Sequence, residues 1–82
     1  MDLGIEGRIA LVSGGDSGMG KETARQLLGA GVRVAITDKA DGTLDEALAE
    51  LQPLGEVIAV AGDVTRAEDV ARIWRTVREA LG

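Results

Sequence analysis

The stretch "SGGDSGMGKET", residues 13 to 23, follows an apolar run and places four glycines within seven positions, 14 to 20. Glycine at that density marks backbone that must turn sharply or approach something closely. Two phosphate-binding patterns overlap here. From Gly14 the stretch reads G-x-x-x-G-x-G, a nucleotide-cofactor loop, and from Gly15 it reads G-x-x-x-x-G-K, close to the start of an ATPase or GTPase P-loop.

The flanking sequence supplies the context. "RIALVS" at 8 to 13 is short, continuous and bounded by Gly7 and Gly14, as expected of a buried parallel strand. From 17 to 30 the pattern becomes helical, with Met19, Ala24, Leu27, Leu28 and Ala30 on an apolar face and Gly31 placed as a C-terminal cap. A second strand, "VRVAIT" at 32 to 37, runs into Asp38 and the turn "KADG". Thr43 and Glu46 have capping-box spacing ahead of a helix over 43 to 52, which Pro53 and Gly55 end. The third strand covers 56 to 62. Thr65 and Glu68 repeat the capping-box spacing before a last helix over 66 to 81, where Val70, Ile73, Trp74, Val77 and Leu81 recur at helical intervals.

This β-α-β-α-β-α order predicts an α/β fold: one half of a doubly wound (Rossmann) domain over residues 1 to 82. The three-stranded parallel sheet should have order 3-2-1, right-handed crossovers and helices on its faces. Ligands bind such a sheet in the crevice at the carboxyl ends of its strands.

Composition narrows the functions available. At 82 residues the chain buries only about 60% of its unfolded surface, so its core is thin. Nine basic residues against fourteen acidic ones, with no basic cluster, argue against nucleic acid as a partner. The net charge of −5 would repel an anionic cofactor at long range, so a phosphate site must rely on local backbone N–H groups. The absence of cysteine and histidine excludes disulfides, cysteine-type zinc sites, thiol nucleophiles and histidine-based triads. No apolar window approaches the ~20 residues of a membrane span, so no membrane association and a cytoplasmic location are expected.

The two glycine patterns make different demands. A P-loop lysine must be followed by Ser or Thr, whose hydroxyl coordinates magnesium, but Glu22 follows Lys21. Thr23 is one residue late, rotated by about 100° around a helix. Asp63, at the end of an apolar strand, could still serve as a Walker B acid, which keeps a P-loop nucleotide hydrolase among the alternatives. The cofactor-loop pattern requires an acidic residue about 20 positions on, at the tip of the second strand, to bind ribose hydroxyls. Asp38 occupies that place. Gly14 then permits the turn out of the first strand, Gly18 lets the helix start approach a pyrophosphate, and Gly20 lets helix and strand pack closely.

Ser13-Gly14-Gly15-Asp16-Ser17-Gly18-Met19-Gly20 resembles the T-G-x-x-x-G-x-G fingerprint of the short-chain dehydrogenases/reductases, with Ser for Thr at 13 and Met for the usual Ile at 19. The likeness continues through "GAGVRVAITD" at 29 to 38 and "GDVTRAEDV" at 62 to 70. It implies the cofactor-binding N-terminal half of an oxidoreductase that moves hydride to or from alcohols, ketones or sugars. By that resemblance Gly14, Ser17, Gly18, Met19, Gly20, Asp38 and Lys39 surround the cofactor, and Asp63 and Val64 meet the adenine, the acid through its side chain and the valine mainly through its backbone. Asp38 would repel a 2′-phosphate and favours NAD over NADP. Basic residues near these positions are common in NADP users of the family, and Lys39 is basic whereas Ser17 is not.

The family's catalytic Asn, Ser and Tyr-x-x-x-Lys lie beyond the third βα unit, and this sequence contains no tyrosine. No catalytic residue is therefore expected among the 82, and the chain by itself is expected to bind nucleotide without catalysing hydride transfer. In the complete fold a fourth strand pairs with the first. Its absence would leave the first strand as an edge, relieved by a homodimer through that edge or the last helix. A self-associating fragment that has lost cofactor affinity is the remaining alternative. Lys21, Glu22, Arg72, Arg75, Arg78 and Glu79 read as solvated helix surface, and Trp74 as core or interface.

Overall fold

The computed structural model describes residues 8–14, 18–39 and 42–82. Its elements are β1 (Ile9–Ser13), α1 (Gly18–Gly29), β2 (Arg33–Asp38), α2 (Gly42–Leu51), a 3₁₀ turn at Gln52–Leu54, β3 (Val57–Ala61) and α3 (Ala67–Leu81). The three strands are parallel, with β2 between β1 and β3, which is the half-Rossmann sheet the alternating pattern predicts. Asp38 is the last residue of β2, where the sequence placed it just beyond the strand. The reason is its pairing with Ala61 across the ladder.

Strand alternation sorts the apolar residues onto two faces. Val12, Val34, Ile36 and Val57 pack with Ala24 and Leu28 of α1 and with Leu44, Ala47 and Leu51 of α2. On the opposite face Ala35 and Val60 pack with Ile73, Val77 and Leu81 of α3, and Ile9, Leu11 and Ile58 join from the sheet. With both sides covered, Val34 through Thr37 of β2 are buried without interruption, which explains why the strand reads as a continuous apolar run. Thr37 is the polar exception, and its hydroxyl donates to Val60 O at 2.6 Å.

Side-chain spacing foretold some helix details and misled on others. Gly31 has φ 84°, the left-handed value a C-terminal cap needs. Its N–H donates to Leu28 O (3.1 Å) and that of Val32 to Leu27 O (3.0 Å), the paired bonds of a Schellman motif. Met19 is 85% exposed and does not belong to the apolar face. It sits in the first turn of α1. Trp74, one residue round the helix from buried Ile73, is 38% exposed and lies outside the core.

The capping box expected at Thr65 does not form as read. Thr43 lies inside α2, which starts at Gly42. The N-cap of α3 is Arg66, with no side-chain cap bond. Thr65 stands one residue before that cap, and its hydroxyl donates to Asp63 Oδ1 at 2.6 Å. No helix among the described residues is long and apolar enough to cross a membrane.

Replacing Gly31 by alanine puts a Cβ into a left-handed conformation, which costs about 1–2 kcal/mol. Urea denaturation should show Gly31→Ala destabilised by that amount. An unchanged midpoint would mean that α1 does not end in the Schellman geometry.

Candidate functional site

The carboxyl ends of the three strands finish level with one another. Ser13 pairs with Thr37, Thr37 with Val60 and Asp38 with Ala61. The ladder continues one bond past each outer strand: Gly14 N–H donates to Thr37 O (2.8 Å) and Gly62 N–H to Asp38 O (3.0 Å). Just beyond, the chain turns away from the sheet and leaves a cavity of 330 Å³ lined by Ser13, Gly14, Asp38, Lys39, Gly62, Asp63, Val64 and Thr65. That volume stands at the lower end of the range for small-molecule sites, about 300–1000 Å³.

Five of the nine residues expected at a cofactor therefore share this cavity: Gly14, Asp38, Lys39, Asp63 and Val64. Gly18, Met19 and Gly20 form the first turn of α1 and are not among its lining residues. Ser17 lies outside the described residues. Gly14 has φ 72°, the left-handed conformation the turn out of β1 needs. Gly18 has no such backbone demand, and a Cβ built on it would meet nothing within 4 Å. Its missing side chain leaves open space at the start of α1.

The three helices differ in how their N-termini are treated. The first turns of α2 and α3 carry acids, Asp45 in one and Glu68 and Asp69 in the other, whereas that of α1 carries none. Within the first turn, side-chain carboxylates thus offset the positive end of the dipole in α2 and α3, and the first turn of α1 has none to do so. Lys21 in that turn reaches across to α2, where its Nζ lies 2.8 Å from Glu50 Oε2. The pairing holds the Glu50 carboxyl below its usual range. Lys21 is therefore an inter-helix tie rather than solvated surface, and the cation that a P-loop would aim at phosphate is engaged elsewhere. Glu22 pairs with Arg25 at 3.0 Å.

Across the cavity, two carboxylates are fixed by neighbouring backbone. Asp38 Oδ1 accepts from the N–H of Lys39 at 2.6 Å. Asp63 Oδ1 accepts from both the amide (2.9 Å) and the hydroxyl (2.6 Å) of Thr65, and the Asp63 N–H donates to Asp69 Oδ2 at 2.9 Å. The Thr65 hydroxyl and then its amide hold the Asp63 carboxyl below the usual aspartate range, with the positive charges of Lys39 and Arg66 adding to the effect. Lys39 Nζ stands 3.9 Å from Asp63 Oδ2.

Ser13, Gly62 and Thr65 also line the cavity, though sequence reasoning did not count them as site residues. Gly62 had a signal that only packing reveals. A Cβ there would lie 2.8 Å from both Arg72 Nη2 and Ile73 Cδ1, so the tips of these two α3 side chains would have to shift to admit it. Arg72 completes the contact by donating to Ala61 O at 2.7 Å. No group of three or more His, Cys, Asp or Glu side chains among the described residues could hold a metal ion.

A cavity at the carboxyl ends of a parallel α/β sheet, beside a glycine-rich turn into a helix, is shared by many nucleotide-binding proteins. Comparison with known proteins decides among them: the family model for short chain dehydrogenases matches residues 8–82. The chain belongs to the short chain dehydrogenase family. It corresponds to the N-terminal part of that oxidoreductase family. Among curated short-chain dehydrogenase relatives, peroxisomal 2,4-dienoyl-CoA reductase of Arabidopsis thaliana is 37% identical over 79 residues, covering 95% of this chain and 26% of the relative. The 3-beta-hydroxysteroid dehydrogenase of Comamonas testosteroni is also 37% identical over 79 residues, covering 95% and 30%.

Solved structures of the family agree. L-sorbose reductase from Gluconobacter frateurii, complexed with NADPH and L-sorbose, superposes with a TM-score of 0.89 at 31% identity over all of this chain and 32% of its own. A short chain dehydrogenase/reductase from Burkholderia phymatum in complex with NAD gives 0.89 at 28% identity, covering 95% and 28%. The chain thus spans between a quarter and a third of the length of these relatives.

Proposed function

We propose that the chain binds an adenine dinucleotide of the NAD type across the carboxyl ends of its strands, as the cofactor-binding part of a short-chain oxidoreductase. The observation that carries this reading is Gly18. Neither backbone conformation nor packing among the described residues requires glycine there, yet its absent side chain leaves space open at the start of α1, whose first turn carries no acid. An anion resting on helical N–H groups needs that approach. The dinucleotide-bound relatives support the same ligand class.

Gly14, Ser17, Gly18, Met19 and Gly20 would hold the pyrophosphate through backbone, and Asp38 the adenosine ribose. One Asp38 oxygen is engaged by the Lys39 amide, which leaves the other to accept from a free 2′-hydroxyl. A 2′-phosphate would meet like charge. Lys39 faces Asp63 Oδ2 at 3.9 Å, so its charge is already shared with an acid, and NAD is favoured over NADP. Asp63 and Val64 would meet the adenine at the β3 side of the cavity. When bound, the cofactor supplies hydride transfer, and these residues bind and orient it. With no tyrosine in the sequence, the family's phenolic proton donor is not among them.

Self-association is a second element of the proposal. Among the described residues β1 pairs only with β2, at one edge of the sheet. Two copies related by a dyad could pair these edges. Light scattering coupled to size-exclusion chromatography should then show twice the chain mass at high concentration, and a monomer throughout would remove this element.

Calorimetric titration is expected to show saturable NAD binding with a dissociation constant between about 10 μM and 1 mM, corresponding to about 4 to 7 kcal/mol. NADP should bind more weakly. Gly18→Ala should retain wild-type stability to within about 0.5 kcal/mol, because its Cβ touches no described atom, yet lose about tenfold or more in affinity. Asp38→Ala should weaken NAD selectively. Magnesium-dependent ATP binding in place of NAD binding would contradict the proposal.

A further inference from the structure

Two residues around Asp63 have no place in the cofactor reading, although they determine how that carboxylate is presented. Thr65 engages one oxygen twice, with its hydroxyl at 2.6 Å and its amide at 2.9 Å from Oδ1. Asp69, in the first turn of α3, accepts the Asp63 N–H at 2.9 Å and anchors the backbone of the turn to the helix. Bound twice at Oδ1, the carboxylate has little freedom to rotate. Oδ2 then remains, with Lys39 Nζ 3.9 Å away on the opposite rim of the cavity.

We propose that Thr65 is a positioning residue for base recognition: by occupying Oδ1 of Asp63 it presents Oδ2 as a fixed acceptor, so that the site selects a purine that donates a hydrogen at its six-position over one that accepts. The inference rests on the dinucleotide reading. Its chemical basis is that an ionised carboxylate can only accept hydrogen bonds. Adenine offers an exocyclic amine there, whereas hypoxanthine offers a carbonyl oxygen that an acceptor repels. Leaving a polar group without its partner carries a larger penalty than a typical hydrogen bond gains, so discrimination follows from the mismatch. A protonated or freely rotating Asp63 could present a donor, and the preference would narrow.

The test uses the full chain with NAD and nicotinamide hypoxanthine dinucleotide as probes in parallel calorimetric titrations. Wild type should prefer NAD by about fivefold or more. Thr65→Val, which removes the hydroxyl and keeps the amide, should weaken NAD and narrow the preference, and Thr65→Ser should restore both. Carbon-detected NMR titration of the Asp63 carboxyl, without ligand, should show its midpoint rising in Thr65→Val and returning in Thr65→Ser. A merely structural role for Thr65 would leave the ratio of the two affinities unmoved. Wild-type NAD binding with the preference unaltered in Thr65→Val overturns this inference and leaves the dinucleotide reading standing. Failure of wild type to bind NAD overturns that reading and this inference with it.

Discussion

The level finish of three parallel strands is the constraint from which the site follows. Because β2 is buried on both faces and pairs on both edges, its register fixes where β1 and β3 end. Three turns must then leave the sheet side by side at its carboxyl edge. Backbone in those turns cannot continue the ladder, and it opens a cavity between Ser13, Asp38 and Asp63. The Thr37 hydroxyl bond to Val60 O and the Arg72 bond to Ala61 O hold the ends of β2 and β3 in place. Rigid strand ends position turn residues more precisely than a free loop would.

Electrostatics at this edge are arranged locally, because the net charge of −5 opposes an anionic ligand. The first turn of α1 carries no acid, and its lysine is tied to Glu50 on α2. On the other side of the cavity two acids are held by backbone amides, and Lys39 lies close to one of them. The cavity edge thus combines an acid-free first turn at α1 with acceptors at the tips of β2 and β3. A dinucleotide has the matching polarity: charged phosphates in its middle, and hydroxyls and an amine along its adenosine arm.

Much of the fold was legible because each element carries a local signal. Gly31 announced the end of α1, and the apolar runs announced the strands, whose alternation into two clusters follows from geometry alone. Asp38 was placed correctly at a strand tip because its distance from the glycine loop reflects one helix and one strand of standard length. The misreadings have a common physical origin in competition between partners. Thr65 had the spacing of a helix cap, but the N-cap falls at Arg66 and the Thr65 hydroxyl donates to Asp63. Lys21 looked solvated because Glu50, 29 positions later, becomes its neighbour only when α1 and α2 pack on the same face of the sheet. Met19 had helical spacing, yet it is exposed in the first turn of α1. Gly62 showed nothing in sequence, since the Arg72 and Ile73 side chains that close on it come from α3.

On the proposed reading, the turns at the carboxyl edge form one binding surface for an adenine dinucleotide. Amide chemical-shift mapping by two-dimensional NMR during addition of NAD would locate that surface. Saturable shifts are expected to concentrate at Gly14, Gly18, Gly20, Asp38, Lys39, Asp63 and Val64, with the amides of Glu50 and Arg78 undisturbed. Shifts absent from that edge at millimolar NAD, or clustered on the far end of the sheet, would contradict it.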